Sequence, residues 1–442
     1  MKIRTYLYSA VILLGVACGL GTACTQVPQK TPIAPADVVM YQINPRVFAP
    51  QNAFRRITER MDSIRDLGVN VLWFMPVYEI GKEKTVNSPY CIKDYCALNP
   101  EFGTLQDLAT LVKEAHKRKM YVIMDWVPNH TSWDSDWLKE HKDWYTQDSI
   151  GNVISPAGTG WNDVADLNFD NAEMRLAMID AMKFWIREAG IDGYRCDAAD
   201  YVPFDFWKQA LDSLRATGRP LLMLAEGKRP DHFAADFDMN YAWDYLATMR
   251  RIFRRNASVA TLFDVDIREY EGVPEGARKL RFTTNHDEGV RTPPVREFVN
   301  ERGAMAAFVA TAYLHGGMLI YDSQEVGFPR GINFFQYVPV DWNANPDYRN
   351  EYKHLIALYK KHPAIRSGNI KAYPDENIML FEKWEGRDQL LIAINLRNAE
   401  HTIALPAEWT QRTLRDLASG KDKKVDADLT LAPFEYLILQ QK

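Results

Sequence analysis

Cysteine is scarce in this chain, with five among 442 residues. Away from the start only Cys91, Cys96 and Cys196 remain, a poor number for a disulfide framework. No Cys-x-x-Cys spacing offers a zinc ligand set. Cys91 and Cys96 could pair in an exported protein, but free thiols are the expectation. Long basic runs are also missing and the formal net charge is −5. Nucleic-acid binding, which needs clustered Lys and Arg against phosphate, therefore has no support. No glycine-rich turn follows the first β-type segment, so the phosphate cradle of a doubly wound nucleotide-binding sheet is missing. There is no low-complexity region and no repeat beyond the alternation described below.

Apolar runs of bilayer length are lacking too. The stretch Tyr6 to Ala17, preceded by Lys2 and Arg4 and followed by small residues, is too short to span comfortably. Residues 1–23 read instead as an export signal. The end of that region, GLGTAC, resembles a bacterial lipoprotein box with Cys24 as the lipidated residue. Gly21 departs from the usual form, Cys18 is the alternative, and secretion without lipid is a third reading. The expectation is an exported protein, in the periplasm or at the outer membrane or cell surface, touching membrane only through a lipid on Cys24. Residues 24–37, with Pro28, Pro32 and Pro35, read as an extended tether.

What is present is an ordinary globular balance, 47% hydrophobic and 25% charged, long enough for a large domain and a smaller one. Eight β-type segments, VVMYQI, VNVLWFMPV, MYVIMDWV, DGYRC, LLMLAE, FDMNY, KLRFTTN and GMLIYD, alternate with amphipathic stretches. Thr104 to Lys119 is one such stretch, with Thr104 as N-cap, Asp107 in the first turn and Leu105, Leu108, Leu111 and Val112 at helical spacing. Ala172 to Ala189 is another, with Met174, Leu176, Met178, Ile179, Met182 and Trp185 on one side. Eightfold alternation predicts an α/β fold, a closed parallel (β/α)8 TIM barrel over residues 38–362. After the third strand a long loop, 131–171, carries Trp133, Trp137, Trp144, Tyr145 and Trp161 and reads as a small excursion lining a cleft. Residues 363–442 alternate apolar and polar positions between turns, which predicts a C-terminal antiparallel β-sandwich domain covering the barrel side.

Three segments place an acid where a barrel strand gives way to its loop: DGYRCDAADY (192–201), LLMLAEGKRP (221–230) and RFTTNHDEGV (281–290). Active sites of barrels lie at that face, so Asp197, Glu226 and Asp287 can converge. Arg195 and Asp197 are two residues apart and point to one side of a strand, so the guanidinium can hold the carboxylate ionised. That suits a nucleophile. Glu226 follows an apolar run, and weak solvation together with nearby carboxylates would raise its pKa, which suits an acid/base. A third carboxylate, Asp287, can bind sugar hydroxyls and favour a distorted ring. Retaining glycosidases need such a pair about 5 to 5.5 Å apart. The chain's 12 Trp, 21 Tyr and 20 Phe supply rings that can stack on sugars, although most belong to the core.

With these residues in place, the chain resembles the α-amylase superfamily of glycoside hydrolases over roughly residues 36 to 442. The matching segments are DWVPNH (125–130), GYRCDAADY, the AEG around Glu226, TTNHD, DVADLN (163–168), GVNVLWFMPV (68–77) and GMLIYDSQEVG (317–327). The resemblance implies Asp197 as nucleophile, Glu226 as acid/base and Asp287 as transition-state stabiliser. It implies that Arg195 orients Asp197, that His130 and His286 bind hydroxyls of the −1 sugar, and that Tyr90 stacks on that sugar. It further implies a retaining hydrolase cleaving α-1,4-glucosidic bonds of starch or maltodextrins through a covalent glycosyl-enzyme. Transglycosylation and α-1,6 cleavage are the alternatives; a non-catalytic glucan-binding lipoprotein is disfavoured because all three acids are present. Family calcium sites correspond here to Asn129 and Asp166, although a further carboxylate ligand cannot be placed, and Asn129 could instead hold the loop by hydrogen bonds. Where many relatives carry Lys-His beyond the nucleophile, this chain has Asp200 and Tyr201, so acceptor-side contacts should differ.

Overall fold

A computed structural model describes residues 30–441. The signal region, Cys18 and Cys24 lie outside the described residues. Among the described residues, no helix is long and apolar enough to cross a membrane.

Eight parallel strands form the core: β1 (Val39–Ile43), β2 (Val71–Phe74), β3 (Tyr121–Trp126), β4 (Gly193–Cys196), β5 (Leu222–Ala225), β6 (Met239–Tyr241), β7 (Arg278–Leu280) and β8 (Met318–Tyr321). They follow one another in chain order around the sheet, with β1 paired to both β2 and β8. Helices cover the outer face, so strands such as Val71–Phe74 are buried throughout and read as continuous apolar runs. The ring closes at β7 and β8 through a single parallel bridge between Arg281 and Met318. Its two hydrogen bonds run from Arg281 N to Gly317 O and from Leu319 N to Arg281 O, each 2.8 Å. The KLRFTTN segment is therefore strand only at its beginning. Past Arg281 the chain turns to start the short helix His286–Gly289, which Asn285 caps by accepting from Glu288 N at 3.0 Å.

The two expected helices form. Leu105–Lys117 begins with a reciprocal capping box, in which Asp107 N donates to Thr104 Oγ1 (3.2 Å) and Thr104 N donates to Asp107 Oδ2 (2.9 Å). Ala172–Glu188 is capped by Asn171. Leu176, expected on the buried face, is 55% exposed. It lies two residues from both Met174 and Met178, and residues at that spacing do not share a helix face.

The long loop contains a short helix, Asp136–Glu140, and an antiparallel pair, His130–Ser132 with Val164–Asp166. Two of its aromatic residues pack together, Trp137 meeting Trp144 at 5.2 Å, and His141 stacks on Trp144 at 4.0 Å. Of the loop's aromatic residues only Trp161 lines the cleft. Beyond helix Pro363–Ser367 comes the C-terminal sandwich. Its six-stranded antiparallel sheet is faced by the pair His401–Ala404 and Asp428–Leu431. Alternation sends Met379, Phe381, Ile392 and Ile394 toward the barrel core, and Ile378, Leu380, Leu391 and Ala393 toward Trp409 and the second sheet. Lys383, fully buried at this junction, donates to Leu314 O at 2.6 Å, satisfying a carbonyl in the last turn of helix Glu301–His315.

Candidate active site

A cleft of about 480 Å³ opens where the strands end, and Tyr90, His130, Asp197, Glu226, His286 and Asp287 all line it. Register explains the convergence. Asp125 on β3 pairs with Arg195 on β4, and Cys196 pairs with Ala225 on β5. Asp125 and Arg195 consequently share one level of the barrel, and Asp197 and Glu226 follow side by side just past the ends of β4 and β5, within reach of the same guanidinium.

Arg195 stands behind the cleft wall, completely buried. Its Nη1 donates to Asp125 Oδ1 and to Asp197 Oδ1, each at 2.7 Å, and its Nη2 lies 2.6 Å from Glu226 Oε1. Nε donates to Tyr241 OH at 3.1 Å, and the guanidinium lies over Trp73, 5.1 Å from the ring centroid. One cation thus serves three carboxylates. Burial raises all three, to about 7 for Asp125, about 7 for Asp197 and about 8 for Glu226, while Arg195 pulls each back down. Arg195 favours the ionised form of Asp197, as expected, but against the opposing effect of burial. The guanidinium is shared, and it cannot neutralise three anions in a poorly solvated site. Burial and mutual repulsion thus favour proton uptake by the group as a whole.

Backbone fixes Glu226 further. Its N–H donates to Cys196 O at 2.9 Å, and its Oε2 accepts from Ala198 N at 2.7 Å. Ala198 sits at φ 46°, a left-handed conformation uncommon for a residue with a Cβ. Asp287 lies in the first turn of its short helix with a half-exposed side chain, Oδ1 being 3.3 Å from His286 Nε2. His286 is held from both sides. Gln42 Nε2 donates to Nδ1 at 2.7 Å, so Nε2 carries the proton and faces the Tyr90 hydroxyl at 2.6 Å. Tyr90 OH in turn donates to Asp125 Oδ2 at 3.1 Å, and its ring is nearly parallel to His286 at 5.3 Å. Burial pushes His130 and His286 down to about 4. Both are therefore neutral near pH 7 and meet a sugar without adding charge; the single N–H of His286 is turned to the Tyr90 hydroxyl here, so a sugar hydroxyl would have to share or displace that bond.

Several residues at the site escaped the sequence reading. Asp125 lies in DWVPNH, a segment read only for Asn129 and His130, yet it is fully buried and contacts Arg195, Tyr90 and Trp73. Its strand position, two residues before Val127 at an apolar-to-polar change, was the available signal. Trp243 also lines the cleft and was missed, whereas Trp161 does so from the long loop expected to line it. Trp161 meets His130 at 5.5 Å and Tyr201 at 5.6 Å. The three described cysteines are free thiols, and Cys91 donates to Asp163 Oδ2 at 3.3 Å.

Asp166 ends one of the paired strands at the root of the long loop, Asn129 immediately precedes the other, and neither lines the cleft. Asn129 Nδ2 is 3.3 Å from His130 Nδ1, which leaves Oδ1 as its other polar atom. Burial raises the Asp166 carboxyl. Among the described residues, no three His, Cys, Asp or Glu side chains gather around a common metal position. A calcium ion would have one carboxylate here and would otherwise depend on amide or backbone oxygens and water, a donor set for a weak site.

A family model described as alpha amylase, catalytic domain, matches residues 42–152 and 158–366. The chain is 27% identical over 435 residues to an alpha-amylase of Haloarcula japonica, covering 93% of this chain and 63% of that relative, so it spans less than two thirds of the relative's length. The crystal structure of an alpha-amylase from Lactobacillus plantarum is similar with TM-score 0.84 at 26% identity, covering 92% of this chain and 99% of that one. A noncanonic maltogenic alpha-amylase of Thermotoga neapolitana gives TM-score 0.83 at 25% identity, with the same coverage.

Proposed function

The chain belongs to the α-amylase family through its catalytic domain, and from that membership we propose that it is a retaining glycoside hydrolase cleaving α-1,4-glucosidic bonds of starch or maltodextrins. The observation that carries the reading is the pair Asp197 and Glu226 on the two terminal nitrogens of one buried guanidinium, both lining the cleft. Two carboxylates on one guanidinium suit the short spacing of retaining enzymes, about 5 to 5.5 Å, better than the wider gap that admits a water between them.

In this reaction Asp197 attacks the anomeric carbon as an anion. The bond to the leaving oxygen breaks, and the Glu226 proton passes to that oxygen. Water then attacks the glycosyl-enzyme, gives its proton to Glu226, and releases Asp197. Positive charge developing at the ring is met by Asp197 and Asp287. Neutral His130 and His286 take up hydroxyls, and Tyr90 presents a ring face to the same sugar. Timed chromatography of products from amylose, pullulan and maltotriose tests the reading. Shortened α-1,4 products are expected; panose from pullulan would redirect it to a neopullulanase-like specificity, and oligomers longer than maltotriose would redirect it to transfer. Asp197→Asn and Glu226→Gln should remain folded and lose nearly all turnover, and normal activity in either would refute the assignment.

Export and lipidation at Cys24 belong to the same proposal and are supported by the basic, apolar and small-residue order of the first 24 residues. Palmitate labelling that disappears in Cys24→Ser is the expected result. Calcium at Asn129 and Asp166 is proposed only as a weakly held brace for the long loop, with no part in the chemistry. Addition of EGTA should lower the melting temperature without abolishing activity.

A further inference from the structure

Strand β5 ends at Ala225, one residue before the acid, so something other than the sheet must hold the loop that follows Glu226. From the β6 side there are two bonds, Tyr241 N to Gly227 O at 3.0 Å and Asn240 Nδ2 to Arg229 O at 3.2 Å. From the β4 side there are several, and Asp200 is at their centre. Its Oδ2 accepts from Lys228 N at 3.2 Å and its Oδ1 from Arg229 N at 3.3 Å. Its backbone oxygen accepts from Arg229 Nη1 at 2.9 Å. His232 Nε2, on a buried ring, lies 3.4 Å from Oδ1. Next to the acid, Gly227 leaves the space this arrangement requires, since a Cβ there would fall 2.3 Å from Asp200 Oδ1.

Asp200 lines the cleft, so contact with an acceptor sugar would be one use for it. Its carboxylate is turned to another. Both oxygens are engaged by backbone N–H groups of the loop that carries Glu226. We infer that Asp200 is a positioning residue for the proton donor, fixing the Glu226 loop against the nucleophile's loop. The stitch runs Ala198 N to Glu226 Oε2, Ala199 N to Glu226 O, then Asp200 to Lys228 and Arg229. Asp197 is anchored independently, by its N–H to Trp126 O and by Arg195 Nη1, each at 2.7 Å, so slack between the two loops falls on the Glu226 side. The inference rests on the reading of Glu226 as the proton donor.

The test compares two substrates. Cleavage of maltotetraose needs a proton on the departing oxygen. With α-maltosyl fluoride and azide, the C1–F bond breaks to release fluoride as Asp197 bonds to C1. Azide then attacks C1 and frees Asp197, so neither step needs a proton from Glu226 or gives one to it. Asp200→Ala should lose about 30-fold or more in kcat on maltotetraose with KM little changed, because misplacing a catalytic group by about an ångström costs on that order. Its rate with fluoride and azide should stay within about threefold of wild type. Gly227→Ala, which displaces the carboxylate while leaving it in the protein, should show the same split. Asp200→Asn keeps one acceptor oxygen but sets an amide NH2 group against the other backbone donor, so it should recover only part of the maltotetraose rate. Equal losses on both substrates, or a raised KM with unchanged kcat, would overturn the inference. A wild-type protein inactive on both would sink the glycosidase reading itself, and this inference with it.

Discussion

Asp125 and Asp197 accept hydrogen bonds from the same atom, Nη1 of Arg195, at 2.7 Å each. The nucleophile candidate therefore competes with a buried neighbour for its counter-charge. Replacing Asp125 by Asn removes an anion that raises Asp197 and frees Nη1 for it. The acid limb of the kcat/KM profile should move down by about one pH unit. A pH–rate comparison of wild type and Asp125→Asn checks this; an upward shift would contradict the shared-cation account.

Activity needs Asp197 ionised and Glu226 protonated. With Asp197 raised to about 7 and Glu226 to about 8, both by burial, the profile should be a narrow bell centred between those values. The two limbs belong to the coupled pair rather than to either residue. Activity rises as Asp197 loses its proton and falls as Glu226 loses its own. In Glu226→Gln the basic limb should vanish from the residual rate, which mutants of this kind leave about 100-fold to 10,000-fold below wild type.

The Tyr90 hydroxyl joins His286 to Asp125, while its ring faces the cleft. Tyr90→Phe keeps the ring and deletes the joint, and should cost about 1 kcal/mol, roughly fivefold in kcat/KM. Tyr90→Ala should cost considerably more, as the sugar-facing surface goes too. Steady-state kinetics on maltotriose distinguish the two effects.

Lys383 provides a stability test away from the cleft. Burial lowers its pKa from 10.5 to about 7, so between those values the unfolded chain binds a proton that the folded protein does not. Stability therefore gains up to about 1.4 kcal/mol per pH unit from this group as pH rises through that window. Lys383→Met should remove the gain. Urea unfolding of wild type and variant at pH 7 and pH 9 should show their difference in stability changing by about 2 kcal/mol or less.

The barrel was legible because each strand carries both an apolar run and a polar end, and the register at β3, β4 and β5 turns those ends into one site. The sandwich was legible from its alternation, since its strands bury opposite faces against different partners. Local pattern failed where a residue's role is set by distant groups. Nothing beside Asp125 in the chain announces Arg195, 70 positions on, and nothing beside Asp200 announces the backbone of Lys228. Leu176 failed for the opposite reason: its composition fitted a core, but its angle around the helix did not. Loop aromatics such as Trp137 and Trp144 were equally ambiguous, because a ring turned toward its own loop and a ring turned toward a cleft have the same letters.

The seam between β7 and β8, held by one bridge at Arg281 and Met318, divides the site unequally. Asp197 and Glu226 belong to the well-zipped half of the ring, whereas Asp287 follows the strand at the gap. Heating should thus loosen the third acid before the first two. Such a protein would forfeit speed while still forming its covalent intermediate, and its functional ceiling in temperature would lie below the point at which it melts.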